Sequence, residues 1–298
     1  MNVPDVSGNT RGVEPLTVAI GPLRVTLMGL DLPMSVAVRS RYARFLVAET
    51  DGALRLTIGL APEVTHQPGE MPLVERVAPR RYTIEYGALS AELDLAGGVG
   101  SATLLPTIYQ VDSLLRITMT LMALERDAFL LHGSGVWLGG RGSGRILVCF
   151  GPSGVGKTTV ARGVPPNDVL CDEMMLLFLD ADGEVRAAGT PFHGDLSLTA
   201  PGEGEAVALV RLQQAEGEQL TPLGPGHAGR ALLSCLLFFC CDEELAGQLL
   251  DLALRIGRGR TYTLDFNRTT VVPRLIDGYL RRNATPTGEQ APRETARG

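Results

Sequence analysis

The chain has 298 residues, 45% of them hydrophobic and 20% charged, with a formal net charge of −6. That length supports more than one packed core, and the mix of apolar and charged residues excludes a disordered chain. The acidic balance argues against a general binder of nucleic acid or of membrane surfaces.

Met1 to Glu14 is polar and lacks the basic-then-apolar layout of a secretion signal, so residues 1–14 are expected to be disordered and the protein cytoplasmic. Residues 15–110 read as a small β-rich domain for partner or substrate recognition. Its strands are expected at Leu16–Ile20, Leu23–Met28, Ser35–Val38, Arg44–Ala48, Leu54–Ile58 and Tyr82–Tyr86, with Asp51-Gly52 as a hairpin turn. Across residues 111–126, Leu114, Leu115, Ile117, Leu121, Met122 and Leu124 recur near helical spacing, which predicts a connecting helix.

From Phe129 the strand pattern resumes, at Phe129–Leu131, Gly135–Leu138 and Arg145–Phe150. A short helix follows, stopped by Gly163 and Pro165-Pro166. Val169 to Leu179 is an apolar run interrupted by Asp172-Glu173, then a turn at Asp180–Gly183 and a strand at Val185–Ala188. Ala206–Gln213 and Thr261–Asp265 read as strands, and Gly226–Phe239, Glu243–Ile256 and Val271–Leu280 as helices. The longest apolar stretch, Ala231 to Cys241, is too short to cross a bilayer and reads as a buried helix. The five cysteines (149, 171, 235, 240 and 241) lack the spacing of a disulfide or metal framework and read as buried free thiols. Residues 127–282 then form the second domain, and 283–298 a polar, disordered tail.

One segment carries chemistry. Gly151-Pro152-Ser153-Gly154-Val155-Gly156-Lys157-Thr158-Thr159 contains the Gly-x-x-x-x-Gly-Lys-Thr pattern of a phosphate loop, directly after the apolar strand that motif requires. Its glycines let bare backbone N–H groups approach an anion, and the helix starting at Lys157 leaves its first amides unpaired. Lys157 is the only lysine among 27 basic residues, so arginine has replaced the generic positive charges while the compact ammonium is kept here. Residues 151–159 therefore read as a nucleotide site for ATP, with Lys157 on the β- and γ-phosphates and the Thr158 hydroxyl on Mg²⁺.

The order Leu131-His132-Gly133, phosphate loop, Cys171-Asp172-Glu173 and, more loosely, Gly189-Thr-Pro-Phe-His193-Gly-Asp195 resembles the catalytic half of HPr kinase/phosphorylase, a fold related to the phosphoenolpyruvate carboxykinases. The likeness runs from about Phe129 to Ile276 and is nearer to stand-alone HPr-kinase-like proteins than to the bifunctional enzyme. It implies a mixed α+β or α/β fold with a β-rich phosphate-loop kinase core. It implies Asp172 as the general base towards an acceptor hydroxyl, His132 beside it, and Glu173 as a metal ligand where the family usually has a second Asp. His193, Asp195 and Arg211 are further candidates for contact with the acceptor or for transition-state charge. The resemblance also allows for a homo-oligomer.

The expected function is an ATP- and Mg²⁺-dependent kinase that transfers the γ-phosphoryl to a hydroxyl of a protein, a peptide or a small molecule. The alternative is a nucleotide-sensing binding module with reduced catalysis. An ordinary ATPase or GTPase switch is disfavoured by the short helix after the loop.

Overall fold

A computed structural model describes residues 13–61, 71–267 and 270–283; the ends expected to be disordered, residues 1–12 and 284–298, lie outside the described residues. The first half holds β1 (Leu16–Ile20), β2 (Leu23–Met28), α1 (Leu32–Tyr42), β3 (Leu46–Val47), β4 (Leu54–Leu60), β5 (Leu73–Ala78), β6 (Arg81–Tyr86), β7 (Leu89–Asp94), β8 (Val99–Leu104) and α2 (Ile108–Leu124). Its strands form one eight-stranded sheet in the order β3-β1-β2-β4-β8-β7-β6-β5. In β4 and β7 buried and exposed positions alternate strictly, the mark of a sheet with one face covered. The covered face meets α1 and α2.

Two expectations fail in this half. Ser35–Val38 is helical, not a strand. Asp31 caps α1 by accepting from the Met34 amide at 2.9 Å, and Pro33 sits in the first turn, where its missing N–H costs nothing. Asp51-Gly52 does turn, with Gly52 at φ 68°, but it joins no hairpin: β3 pairs with β1, while β4 lies parallel to β2 and β8.

The second half holds β9 (Ala128–Trp137), β10 (Arg145–Phe150), α3 (Lys157–Arg162), β11 (Val169–Cys171), β12 (Met174–Leu179), β13 (Val185–Gly189), β14 (Glu203–Gln214), β15 (Gln219–Pro222), α4 (Pro225–Leu233), β16 (Leu236–Leu237), α5 (Glu243–Gly257), β17 (Thr261–Phe266) and α6 (Val272–Asn283). The fold is thus mixed α/β with many strands and few helices. Within the second sheet, β10-β9-β12-β13-β14 form a ring that closes through parallel pairing of β14 with β10. It is a closed barrel of five strands. β17 and β15 extend the sheet outward from β14.

The expected helix Gly226–Phe239 is also corrected. It ends at Leu233, with Ser234 as its cap, and Leu236–Leu237 pairs with Leu130–Leu131 of β9. An unbroken apolar run has no period to separate helix from strand, and the open flank of β9 decides the matter. Cys241 is exposed, and Cys235 half-buried, so only three of the free thiols are buried as expected.

A single apolar core joins the two sheets. It includes Val25 and Leu56 from the first sheet, Leu114 and Leu121 from α2, and Leu130, Met174, Leu176 and Phe178 from the second. Among the described residues no helix is long and apolar enough to cross a membrane.

Candidate functional site

Gly133, in the middle of β9, is the hub of the site. On one side it pairs with Phe150, the last residue of β10, from which the glycine-rich loop departs. On the other side its amide donates to the Glu173 carbonyl at 3.0 Å. Cys171 pairs with Gly135 and Met174 with His132, so Asp172 and Glu173 lie in a bend between β11 and β12, in unbroken register opposite Ser134 and Gly133. Residues far apart in sequence, the loop and the acidic pair, are thereby set on either flank of one strand. A side chain at Gly133 would place its Cβ 2.9 Å from the Cys149 carbonyl oxygen, so glycine is required there.

The loop has the backbone its sequence demands. Gly151, Gly154 and Gly156 all adopt positive φ (147°, 78° and 121°). A Cβ on Gly156 would meet Phe266 Cζ at 2.7 Å. Lys157 is buried, and its ammonium donates to the carbonyls of Gly151 and Pro152, both at 3.0 Å, so it lies folded across the loop. Burial pulls its pKa below the ordinary lysine value, opposed by the charge of Glu173 and by the Cys235 thiol. Ser134 donates to the Lys157 carbonyl at 3.2 Å and ties the start of α3 to β9. With only six residues, α3 has a small dipole, so the loop amides and the ammonium carry most of any anion affinity. Pro152, Ser153 and Thr159 are exposed, while Val155 and Thr158 are half-buried.

The two acids differ sharply. Asp172 is only 2% exposed, and its carboxylate accepts from the amides of Gly194 (3.0 Å) and Leu196 (2.8 Å). It anchors the loop after β13 and reaches no solvent. Glu173 is half-buried, and one of its oxygens lies 3.3 Å from His132 Nδ1. The hydrogen bond from His132 holds the Glu173 carboxyl below the usual carboxylate range against the opposing effect of burial, and the charges of His132, Lys157 and Arg116 add to it. His132, Glu173 and Lys157 therefore form one electrostatic unit beside the loop.

The His193 ring Nδ1 lies 3.1 Å from the carbonyl of the next residue, Gly194, and Asp195 is exposed. Gly194 is held against the acids: a Cβ there would lie 2.8 Å from Glu173 Oε2. Among the described residues no cluster of three or more His, Cys, Asp or Glu side chains is placed to hold a metal. The oxygen donors near the loop, Thr158 and Glu173, suit Mg²⁺, which takes few protein ligands and leans on phosphates and water.

Sequence reasoning missed four participants. Gln214, at the end of β14, donates to the carbonyls of Gly154 (3.2 Å) and Val155 (3.4 Å) and pins the loop from outside. Phe266 walls a cleft of about 460 Å³ that opens beside Gly154, Gly156 and Thr159. Cys235 accepts the His132 amide at 2.8 Å through its carbonyl, bringing β16 alongside the site. The charge of Arg116, on α2, reaches Glu173. Two charged residues, Asp112 and Arg116, on an otherwise uncharged helix were the signal available for the last of these.

No protein-family model matches the chain, and no curated protein is significantly similar to it in sequence.

Proposed function

We propose that this protein binds a nucleoside triphosphate, ATP by preference, and transfers its γ-phosphoryl to a hydroxyl on a protein, peptide or small molecule, as a kinase of the HPr-kinase type. The observation that carries this reading is the pairing across Gly133. A glycine-rich loop with its lysine stands on one side, and an acidic bend with a histidine partner on the other. Phosphoryl transfer asks the protein chiefly for positioning and charge stabilisation, and this arrangement offers both.

In this reading the loop amides and Lys157 hold the phosphates. Thr158 and Glu173 would hold Mg²⁺, which neutralises charge on the phosphate oxygens. Asp172 has the role of general base. Its carboxylate has about four acceptor positions. Two serve Gly194 and Leu196, which leaves room for a hydroxyl proton once an acceptor has parted the loop. His132 orients Glu173.

The burial of Asp172 favours a second reading, a nucleotide-sensing module in which that acid only fastens the loop. Calorimetry with Mg-ATP and Mg-GTP, followed by incubation with γ-³²P-ATP and a lysate of the source cell, separates the two. Lys157→Ala should weaken nucleotide binding by about tenfold to a hundredfold, the worth of one or two charge-assisted hydrogen bonds. A labelled acceptor that disappears with Asp172→Asn supports transfer. Tight binding with no labelled product supports the sensor, and no binding of either nucleotide refutes both.

A further inference from the structure

Arg116 is an unusual residue for its place. It lies on α2 between Leu115 and Ile117, both buried. Its Nε is buried without a hydrogen-bond partner, and among the described residues it forms no ion pair. A partner was at hand: Asp112 is one turn back on the same helix, the spacing that favours pairing. That carboxylate is already taken. Arg41 donates to both of its oxygens, at 2.8–3.3 Å, and the Tyr42 hydroxyl donates to it as well.

What does hold Arg116 is a ring. Its guanidinium carbon sits 5.1 Å from the centroid of Phe192, which is fully buried. Phe192 leads directly into the His193–Leu196 segment fastened by Asp172, so the ring and the acid fix one loop from two sides. Stacking orients a guanidinium plane without using its N–H groups. The charge of Arg116 is felt at Glu173, and so is that of Lys157, whereas Lys157 itself registers Glu173 and Cys235 but not Arg116.

We infer that Arg116 is an oxyanion-binding residue on the acceptor side of the site, and that the acceptor carries a carboxylate or phosphate next to the hydroxyl it presents. The inference rests on the phosphoryl-transfer reading for the word acceptor, but not for the anion site itself. A ring-stacked, pre-oriented guanidinium on a half-buried residue, with Nε unpaired and no ion pair among the described residues, is suited to a two-pronged contact with such a group.

The test uses the full chain, with inorganic phosphate and succinate as probes followed by calorimetry. On a Lys157→Ala background the phosphate loop is disabled, and the anion binding that remains should fall at least about tenfold when Arg116→Met is added. Arg116→Lys, which keeps the charge but loses the fork, should fall in between. Arg116→Met should melt at or above the wild-type temperature. Loss of phosphate binding alone marks a phosphate-bearing acceptor, and loss of succinate binding alone marks a carboxylate. The inference is overturned if Lys157→Ala binds neither probe, or if Arg116→Met and Arg116→Lys leave affinity unmoved. It is also overturned if Arg116→Met lowers the melting temperature without touching affinity. Arg116-dependent anion binding in a wild-type chain that ignores Mg-ATP would sink the kinase reading and leave this site standing.

Discussion

Replacing Asp172 by asparagine separates what this acid does for the fold from what it does for chemistry. The carboxylate accepts from Gly194 N at 3.0 Å and Leu196 N at 2.8 Å, and the residue is 2% exposed. Asparagine keeps one oxygen, so one amide retains a weaker, neutral acceptor while the other faces an NH₂ group that can only donate. Hydrogen bonds to a charged acceptor are worth about 1.5–3 kcal/mol each, so losing one and weakening the other should cost about 2–3 kcal/mol. With an unfolding entropy of about 2 cal/mol/K per residue, the melting temperature of a chain this size should drop by about 3–5 °C. Calorimetry gives the drop, and amide exchange at Gly194 and Leu196 locates it. A variant that melts within about a degree of wild type, with both amides still protected, would show that Asp172 does not anchor the loop. Loss of phosphoryl transfer without that drop would then assign the acid to chemistry alone.

Other outcomes follow from the same geometry. Glu173 titrates below the ordinary glutamate value of 4.5, so its contribution to stability is complete above that value and is lost as pH falls through the lower folded one. Glu173→Gln should therefore melt below wild type at neutral pH, with the gap closing on acidification; a gap that widens in acid would refute the pairing with His132. Lys157 titrates below its ordinary 10.5, and an anion on the loop favours its charged form. Tripolyphosphate affinity should accordingly decline with rising pH before 10.5 is reached, and a decline confined to higher pH would contradict the burial argument. Gly156→Ala meets Phe266 Cζ at 2.7 Å from a backbone at φ 121°, and should cost about 1–3 kcal/mol and abolish phosphate binding. Adding Phe266→Ala removes the contact but not the backbone strain, so recovery should be partial, and full recovery would show the strain to be negligible. Gln214→Ala should weaken nucleotide binding severalfold with little change in melting, since Gln214 is exposed and its side-chain amide donates to the loop carbonyls.

The legible parts of the sequence were those governed by neighbours along the chain. Leu16–Ile20, Leu23–Met28, Arg145–Phe150 and the glycine loop announce themselves by alternation, apolar runs and backbone freedom, and α5 by its capping Asp242. Ser35–Val38 misled because four alternating residues outweighed the Asp31-Leu-Pro33 start signal just before them. Leu89–Asp94 was passed over because its outward positions are polar, although its inward ones alternate as a strand requires. Gln219–Pro222 is a strand only because β17 offers an edge. At the site the loop and the acidic pair could be read, but the sequence cannot tell that Gly194 and Leu196 return to bind Asp172. Nor can it tell that Asp112 is taken by Arg41 and Tyr42, which leaves Arg116 idle. Those facts depend on separations of many residues, and only folding sets them.

The closed barrel has a bearing on motion. β10 is gripped along both margins, by β9 on one side and β14 on the other, so it has no free border from which to fray. The glycine-rich loop therefore hangs from a fixed post. Accommodation of a bound anion must be carried by residues 151–156 and by the segment from Thr190 to Leu198, with the strands beneath acting as an undeforming plinth. Slow amide exchange in Leu147–Cys149, unaltered by ligand, beside ligand-sensitive exchange in those two segments would be the signature of that division.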